Sequence, residues 1–158
     1  MDILADTNIL IRRINRYDAQ HKETRSALRL LAEQGHRVCI VPQNVIEFWT
    51  VSTRPQDRNG LGLLPSQVER IATRIESNFH LLPETAEIFP QWKRLVAAHS
   101  VSGLKVYDAR LVASALVSGI QDILSFNGDD FRRYTGVRII HPRDIHSTNQ
   151  EKGAPPEE

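Results

Sequence analysis

Four carboxylates stand out by where they fall along the chain: Asp6 in LADTNIL, Glu47 in VIEFW, Asp108 in VYDARLVASAL and Asp130 in NGDD. Each comes at or just after the end of a predicted strand, or at the start of a predicted helix. In an open parallel sheet such positions border the crevice beyond the carboxyl ends of the strands, where ligands bind. Four acids sharing one crevice would repel one another strongly unless a cation neutralised them. Oxygen ligands of this hard kind select magnesium or manganese. A centre built that way holds the non-bridging oxygens of a phosphodiester, lowers the pKa of a water for in-line attack and stabilises the leaving oxygen.

Each acid also has a plainer reading. Asp6, Thr7 and Asn8 are good helix caps for a helix carried by Ile9, Leu10, Ile11 and Ile14. Asp108 shares a helical stripe with Leu104, Leu111, Val112 and Ala115, which should face the core. A buried carboxylate without a partner costs several kcal/mol, so Asp108 must either lie near the helix start and reach solvent or meet a cation. Glu47 is crowded by Val45, Ile46, Phe48, Trp49 and Val51, and an acid near a helix start is also satisfied by solvent. Asn127, Asp129 and Asp130 follow a strand directly, and NG and GDD are ordinary turn chemistry as well.

The elements that must position these residues alternate between short apolar runs and longer amphipathic ones. Strands are predicted at 3–5, 38–41, 79–82, 122–126 and 137–140. Helices are predicted from Ile9, and over 19–34 with Gly35 as its stop, 43–52 after Pro42, 66–77 with Ser66 as cap, 85–99 with Pro90 in its first turn or at a kink, and 106–118 ended by Gly119. Residues 53–65, with two prolines and two glycines, read as a surface loop that could flank a substrate groove, and 127–134 as a polar turn leading to a short helix. Such alternation predicts an α/β fold with a parallel sheet of about five strands covered on both faces. No internal repeat is visible.

With 158 residues and 41% hydrophobic content, one domain over 1–146 is expected, because a chain of this size buries roughly 70% of the surface it exposes when unfolded. Residues 147–158 lack apolar periodicity and are expected to be a disordered tail. Lys plus Arg number 20 against 19 Asp plus Glu, a net charge of +1, so no global field drives binding to nucleic acid or membrane and local patches must supply any such contact. Cys39, the single cysteine, cannot form a disulfide within the chain and lies in an apolar run, which suits a buried thiol in a reducing cytosol. No signal peptide or membrane span is read, so the expected location is cytoplasmic.

The stretches LADTNIL, VIEFW, VYDARLVASAL and ILSFNGDDFRRY run in the order found in the PIN-domain ribonucleases, and the chain resembles that family over nearly its whole length, in particular the toxins of VapC type from bacterial toxin-antitoxin modules. The resemblance implies a three-layer α/β/α fold and metal-assisted hydrolysis of single-stranded RNA that leaves a 5'-phosphate and a 3'-hydroxyl. It matches Asp6, Glu47 and Asp108 to the family's metal-binding acids, with magnesium or manganese as cofactor. Asn8 and Ser125 match the polar residues that orient those carboxylates. The family often has an aspartate where this chain has Asn127, which can offer a carbonyl oxygen or a water contact while Asp130 takes over part of the charge. Arg12, Arg13, Arg110, Arg132 and Arg133 are the basic candidates for RNA phosphates. A homodimer and an antitoxin partner are implied by the resemblance as well. Two alternatives stay open: a phosphatase of the haloacid dehalogenase type using Asp6 as nucleophile, which would want an aspartate where Asn8 stands, and a degenerate PIN domain that only binds RNA or a protein.

Overall fold

The computed structural model describes residues 1–146, and the expected tail at 147–158 lies outside the described residues. The apolar runs form β1 (Asp2–Ala5), β2 (Arg37–Ile40), β3 (His80–Leu81), β4 (Asp122–Leu124) and β5 (Arg138–Ile140). Between them lie α1 (Thr7–Ile14), α2 (His21–Glu33), α3 (Pro42–Thr53), α4 (Pro65–Asn78), α5 (Ile88–Ala98) and α6 (Lys105–Val117). All strand pairs are parallel, in the order β3-β2-β1-β4-β5.

Parallel strands are buried on both faces because their crossover helices cover both, and the side-chain alternation of β1 shows it. Ile3 and Ala5 point into one core with Leu10 of α1, Leu31 of α2, Phe48 of α3 and Ile75 of α4. Leu4 points the other way, against Val112 and Ala115 of α6 and the partly buried Trp92 and Leu95 of α5. The register sets Leu4 beside both Cys39 and Ile123, so one fully buried leucine bridges three strands and contributes about 1.5–3 kcal/mol. The result is the expected three-layer α/β/α architecture. Cys39 is a buried free thiol, and burial pushes its pKa up.

Several boundaries differ from the sequence expectations. Helix α1 starts two residues early, at Thr7. Helix α4 begins with Pro65 as its first residue, and the Leu64 N–H donates to the Gln67 side chain (2.9 Å), so Ser66 is not the cap. Proline suits that position because its missing N–H would be unpaired there in any case. Pro90 likewise lies in the first turn of α5, which is shorter than predicted. The short helix expected after β4 is a 3-10 turn, Gly128–Phe131. Leu104 is 82% exposed and lies outside the core stripe to which the sequence assigned it. The loop after α3 folds back on its end, with Leu61 and Leu63 amides donating to the Val51 and Ser52 carbonyls. Gly119 stops α6 as expected: at φ 69° it takes the left-handed turn that lets the Ile120 N–H reach the Ala115 carbonyl (2.9 Å).

The strand order reverses at β1, since the chain moves from β1 outward through β2 to β3 and then returns to lay β4 on the other side. Where neighbouring connections diverge in this way, a crevice opens beyond the strand ends.

Candidate active site

Asp6 follows the last residue of β1, and its backbone N–H donates to the Leu124 carbonyl of β4 (2.9 Å), which fixes it at the point of reversal. It occupies the cap position of α1 yet makes no side-chain capping bond. Instead its Oδ2 accepts from Ser125 Oγ (2.6 Å) and from Asn8 Nδ2 (2.8 Å). Ser125, fully buried just beyond β4, is held in turn by the Asn127 backbone N–H, which donates to its Oγ (3.0 Å). The resemblance implied that Asn8 and Ser125 orient a carboxylate, and this geometry gives the physical means: two donors pin one oxygen of Asp6. Asn127 meets this group through its backbone, and its side chain is exposed.

Helix α3 brings Glu47. Its start is tied down by Asn44, which is completely buried and has each polar end used: Oδ1 accepts from the Val41 N–H (2.8 Å), and Nδ2 donates to the Ala5 carbonyl (3.1 Å) and to Thr7 Oγ1 (3.1 Å). One side chain therefore joins the end of β1, the start of α1 and the start of α3. One turn before Glu47, Gln43 donates from Nε2 to Glu47 Oε1 (2.6 Å) and to the Tyr107 carbonyl of α6 (2.9 Å), which sets Glu47 relative to the helix that carries Asp108.

Asp108 lies in the first turn of α6 and is partly exposed, and it also meets a cation, so both resolutions of its burial problem operate at once. The Lys105 ammonium stands 3.6 Å from Asp108 Oδ2 and 2.5 Å from Asp130 Oδ1. Desolvation raises the Asp108 pKa to about 6, with further upward pushes from the charges of Asp6 and Asp130 against a downward pull from Lys105. Desolvation also raises the pKa of Asp6, and the Glu47 charge adds to it, while the Ser125 hydrogen bond opposes it. Asp6 thus feels the charge of Glu47, and Asp108 those of Asp6 and Asp130. Among the described residues no group of three or more His, Cys, Asp or Glu side chains is drawn together as a ready metal cage. The Lys105 ammonium stands between Asp108 and Asp130.

The donor set nevertheless suits a hard cation. Burial disfavours the ionised forms of Asp6 and Asp108, which a cation would favour, and Asn8 Oδ1 is a buried oxygen with no hydrogen-bond donor. Of the arginines singled out for RNA, Arg110 is engaged by Gln43 Oε1 (3.1 Å) and Glu84, and Arg132 by Asp129 (2.7 Å). Arg12 lies over the Phe126 ring and 3.8 Å from Asp18, Arg13 lies over Phe79, and Arg133 is exposed. The structure does not gather these five into one patch. Sequence reasoning passed over Lys105, Gln43 and Asn44. The first had a signal, a lysine three residues before an acid on a helix. Asn44 had a weaker one, its place three residues past the cap in a helix opened by proline.

A model described as the PIN domain matches residues 3–137. Among solved structures the chain is 25% identical to VapC20 of Mycobacterium tuberculosis, described as a sarcin-ricin loop cleaving toxin, covering 86% of this chain and 98% of that one with a TM-score of 0.63. It is 18% identical to a chain of the DNA-bound VapBC of Salmonella typhimurium (90% and 98% covered, TM-score 0.69). It is 15% identical to one of VapBC2 of Rickettsia felis bound to a promoter DNA fragment (89% and 98%, TM-score 0.68). The latter two likenesses speak to the fold alone. No match was found among curated proteins. Among the described residues no helix is long and apolar enough to cross a membrane.

Proposed function

Since the chain belongs to the PIN-domain family, we propose that it is a metal-dependent endoribonuclease that hydrolyses phosphodiester bonds of single-stranded RNA, the toxin of a toxin-antitoxin pair. The observation that carries this reading is a set of contacts joining the acid-bearing segments near the reversal of strand order: Ser125 links Asp6 to the segment of Asn127, Gln43 links Glu47 to α6, and Lys105 links Asp108 to Asp130. The phosphatase alternative loses ground on the same geometry. Asn8 donates to Asp6 where a second acid would be needed, and that chemistry has no use for Glu47 or Asp108.

Asp6 and Asp108 would hold magnesium or manganese, with Glu47, Asp130 and the side-chain oxygen of Asn127 as further ligands. When bound, such an ion supplies Lewis acidity that offsets charge developing on the phosphodiester and lowers the pKa of an attacking water. The chain's own residues do the positioning. Ser125 and Asn8 hold one oxygen of Asp6 in place, which leaves the other to face the crevice. Gln43 steadies Glu47, which orients the attacking water. Lys105 balances Asp108 and Asp130 and must yield or share that place when a divalent ion enters. The toxin reading carries with it a cytoplasmic location, a homodimer and an antitoxin. It is supported by the likeness to VapC20, which is described as a sarcin-ricin loop cleaving toxin.

The test is cleavage of a labelled RNA in magnesium by the parent protein and by Asp6→Asn and Asp108→Asn. Each variant is expected to lose at least about a hundredfold in rate while its circular dichroism stays that of the parent. Parent-level cutting by either variant would remove the site assignment, and an inert parent that still binds RNA would mark a degenerate domain.

A further inference from the structure

The arginines nearest the acidic crevice already have carboxylate partners, which raises the question of where positive charge is left over. A large concavity of about 1000 Å³ opens at the amino ends of β2 and β3, lined by Arg37, Val38 and His80 together with the end of α1 and one face of α2. A second cleft of about 670 Å³ adjoins it, sharing Arg13 and Arg25 and adding Arg16 and Arg74. Neither is lined by an acid. Among the described residues, Arg13, Arg16, Lys22, Arg25 and Arg74 form no ion pair with a carboxylate. Lys22 and Arg25 stand three residues apart on α2, so both present their charge on one helical face. Arg13 stacks over the Phe79 ring at 5.0 Å, and burial, with the charge of Arg25 added, disfavours its protonated form.

Unpaired cations held this close repel one another, and in a chain whose net charge is only +1 their gathering on one face calls for an anionic occupant. The two clefts are continuous, which suits an extended polyanion better than a single small anion. Guanidinium forks match phosphate oxygens, and the exposed planes of arginine and histidine offer stacking surfaces for bases. The crevice itself carries negative charge and repels the phosphates of the strand it would cut, so an anchor elsewhere is needed. We propose that this basic groove is a second RNA-contact surface, binding the phosphodiester backbone at a distance from the bond that is cut. The choice of RNA over another polyanion rests on the ribonuclease reading. The groove lies at the amino ends of β2 and β3 and the crevice beyond the carboxyl ends of the strands, so at least the length of a four-residue strand, roughly 13 Å, separates them, and a dinucleotide in the crevice leaves the groove empty whereas a longer strand covers both.

Arg25 and Arg74 are exposed on helix surfaces, so reversing their charge leaves the core untouched. The experiment measures binding of a fluorescein-labelled RNA several tens of nucleotides long, with chelator present to prevent cutting, over a range of salt. For Arg25→Glu combined with Arg74→Glu we expect at least about a tenfold loss of affinity and a salt slope shallower by about 1.4, the share of two phosphate contacts on a single strand. The milder pair Arg25→Gln with Arg74→Gln should show the same change of slope at the parent's thermal unfolding temperature, which separates lost contacts from a folding defect. Parent-like affinity and slope in both pairs would overturn the proposal. So would a loss of binding seen with polyglutamate and not with RNA, which would make an acidic protein segment the occupant. A protein that binds RNA through these residues but never cuts it in magnesium would end the ribonuclease reading and leave the groove standing.

Discussion

Asp6 shows how much a single carboxylate's role depends on what donates to it. As a cap it would have satisfied helix amides. With Ser125 and Asn8 pinning its Oδ2, it is held in a crevice where burial, and then the charge of Glu47, raise its pKa. Asp108 gives the measurable consequence. Its pKa in the folded chain is raised to about 6, above the ordinary aspartate value that the unfolded chain would show. Between those two values the folded state binds more protons than the unfolded state, so stability is gained as pH falls through about 6 and lost as it rises. In chelator-treated protein, the unfolding temperature should therefore respond more favourably to lowering the pH from about 7 to about 5 than that of Asp108→Asn. Part of the rise persists in the variant through Asp6, whose shift has the same sign. Identical pH dependence in parent and variant would contradict this account of Asp108. Divalent metal should reverse the trend, because its ligands must be ionised.

Among the elements, α3 decides whether the crevice exists as a shaped object. Its first turn carries Asn44, whose three hydrogen bonds fasten it to β1 and α1, and Gln43, which ties Glu47 to α6. Replacing Asn44 by alanine leaves the Val41 amide and the Ala5 carbonyl without partners in a dry interior. The expected cost is about 2–3 kcal/mol, to be read from urea unfolding with little change in the m-value. Cleavage should fall as well, since the spacing of Asp6 and Glu47 depends on that joint. A variant as stable as the parent would show that water or a local shift replaces these bonds. Helix α6 contributes differently: it delivers Asp108 and Lys105 from one turn and so brings the acid with its own counter-charge.

Over the whole molecule, acids gather beyond the carboxyl ends of the strands, while cations without carboxylate partners among the described residues gather at the amino ends of β2 and β3, although the total charge is close to zero. The acidic end is a cost to the fold that a bound cation would remove. Magnesium should accordingly stabilise the protein by mass action, by about 2.7 kcal/mol at a hundredfold excess over its dissociation constant. For a chain of this length that is roughly 5 to 10 °C in unfolding temperature. In Asp6→Asn the shift should shrink to the small value expected of ionic strength alone. An equal shift in parent and variant would place the ion elsewhere.

The order of strands and helices, the parallel sheet and the position of Asp6 at a strand end were legible in the residues, because two-sided burial writes long apolar runs and a strand-end acid interrupts them visibly. The stops at Gly35 and Gly119 were legible for a similar reason, since a left-handed turn has few acceptable residues. The roles of Gln43, Asn44 and Lys105 were not, nor was the basic groove. Those depend on which side chains from distant segments end up within hydrogen-bonding or ion-pairing reach, and distance along the chain carries no such information. Local chemistry therefore named the charged groups, and only the packing of helices against the sheet determined which of them found a partner of opposite charge and which did not.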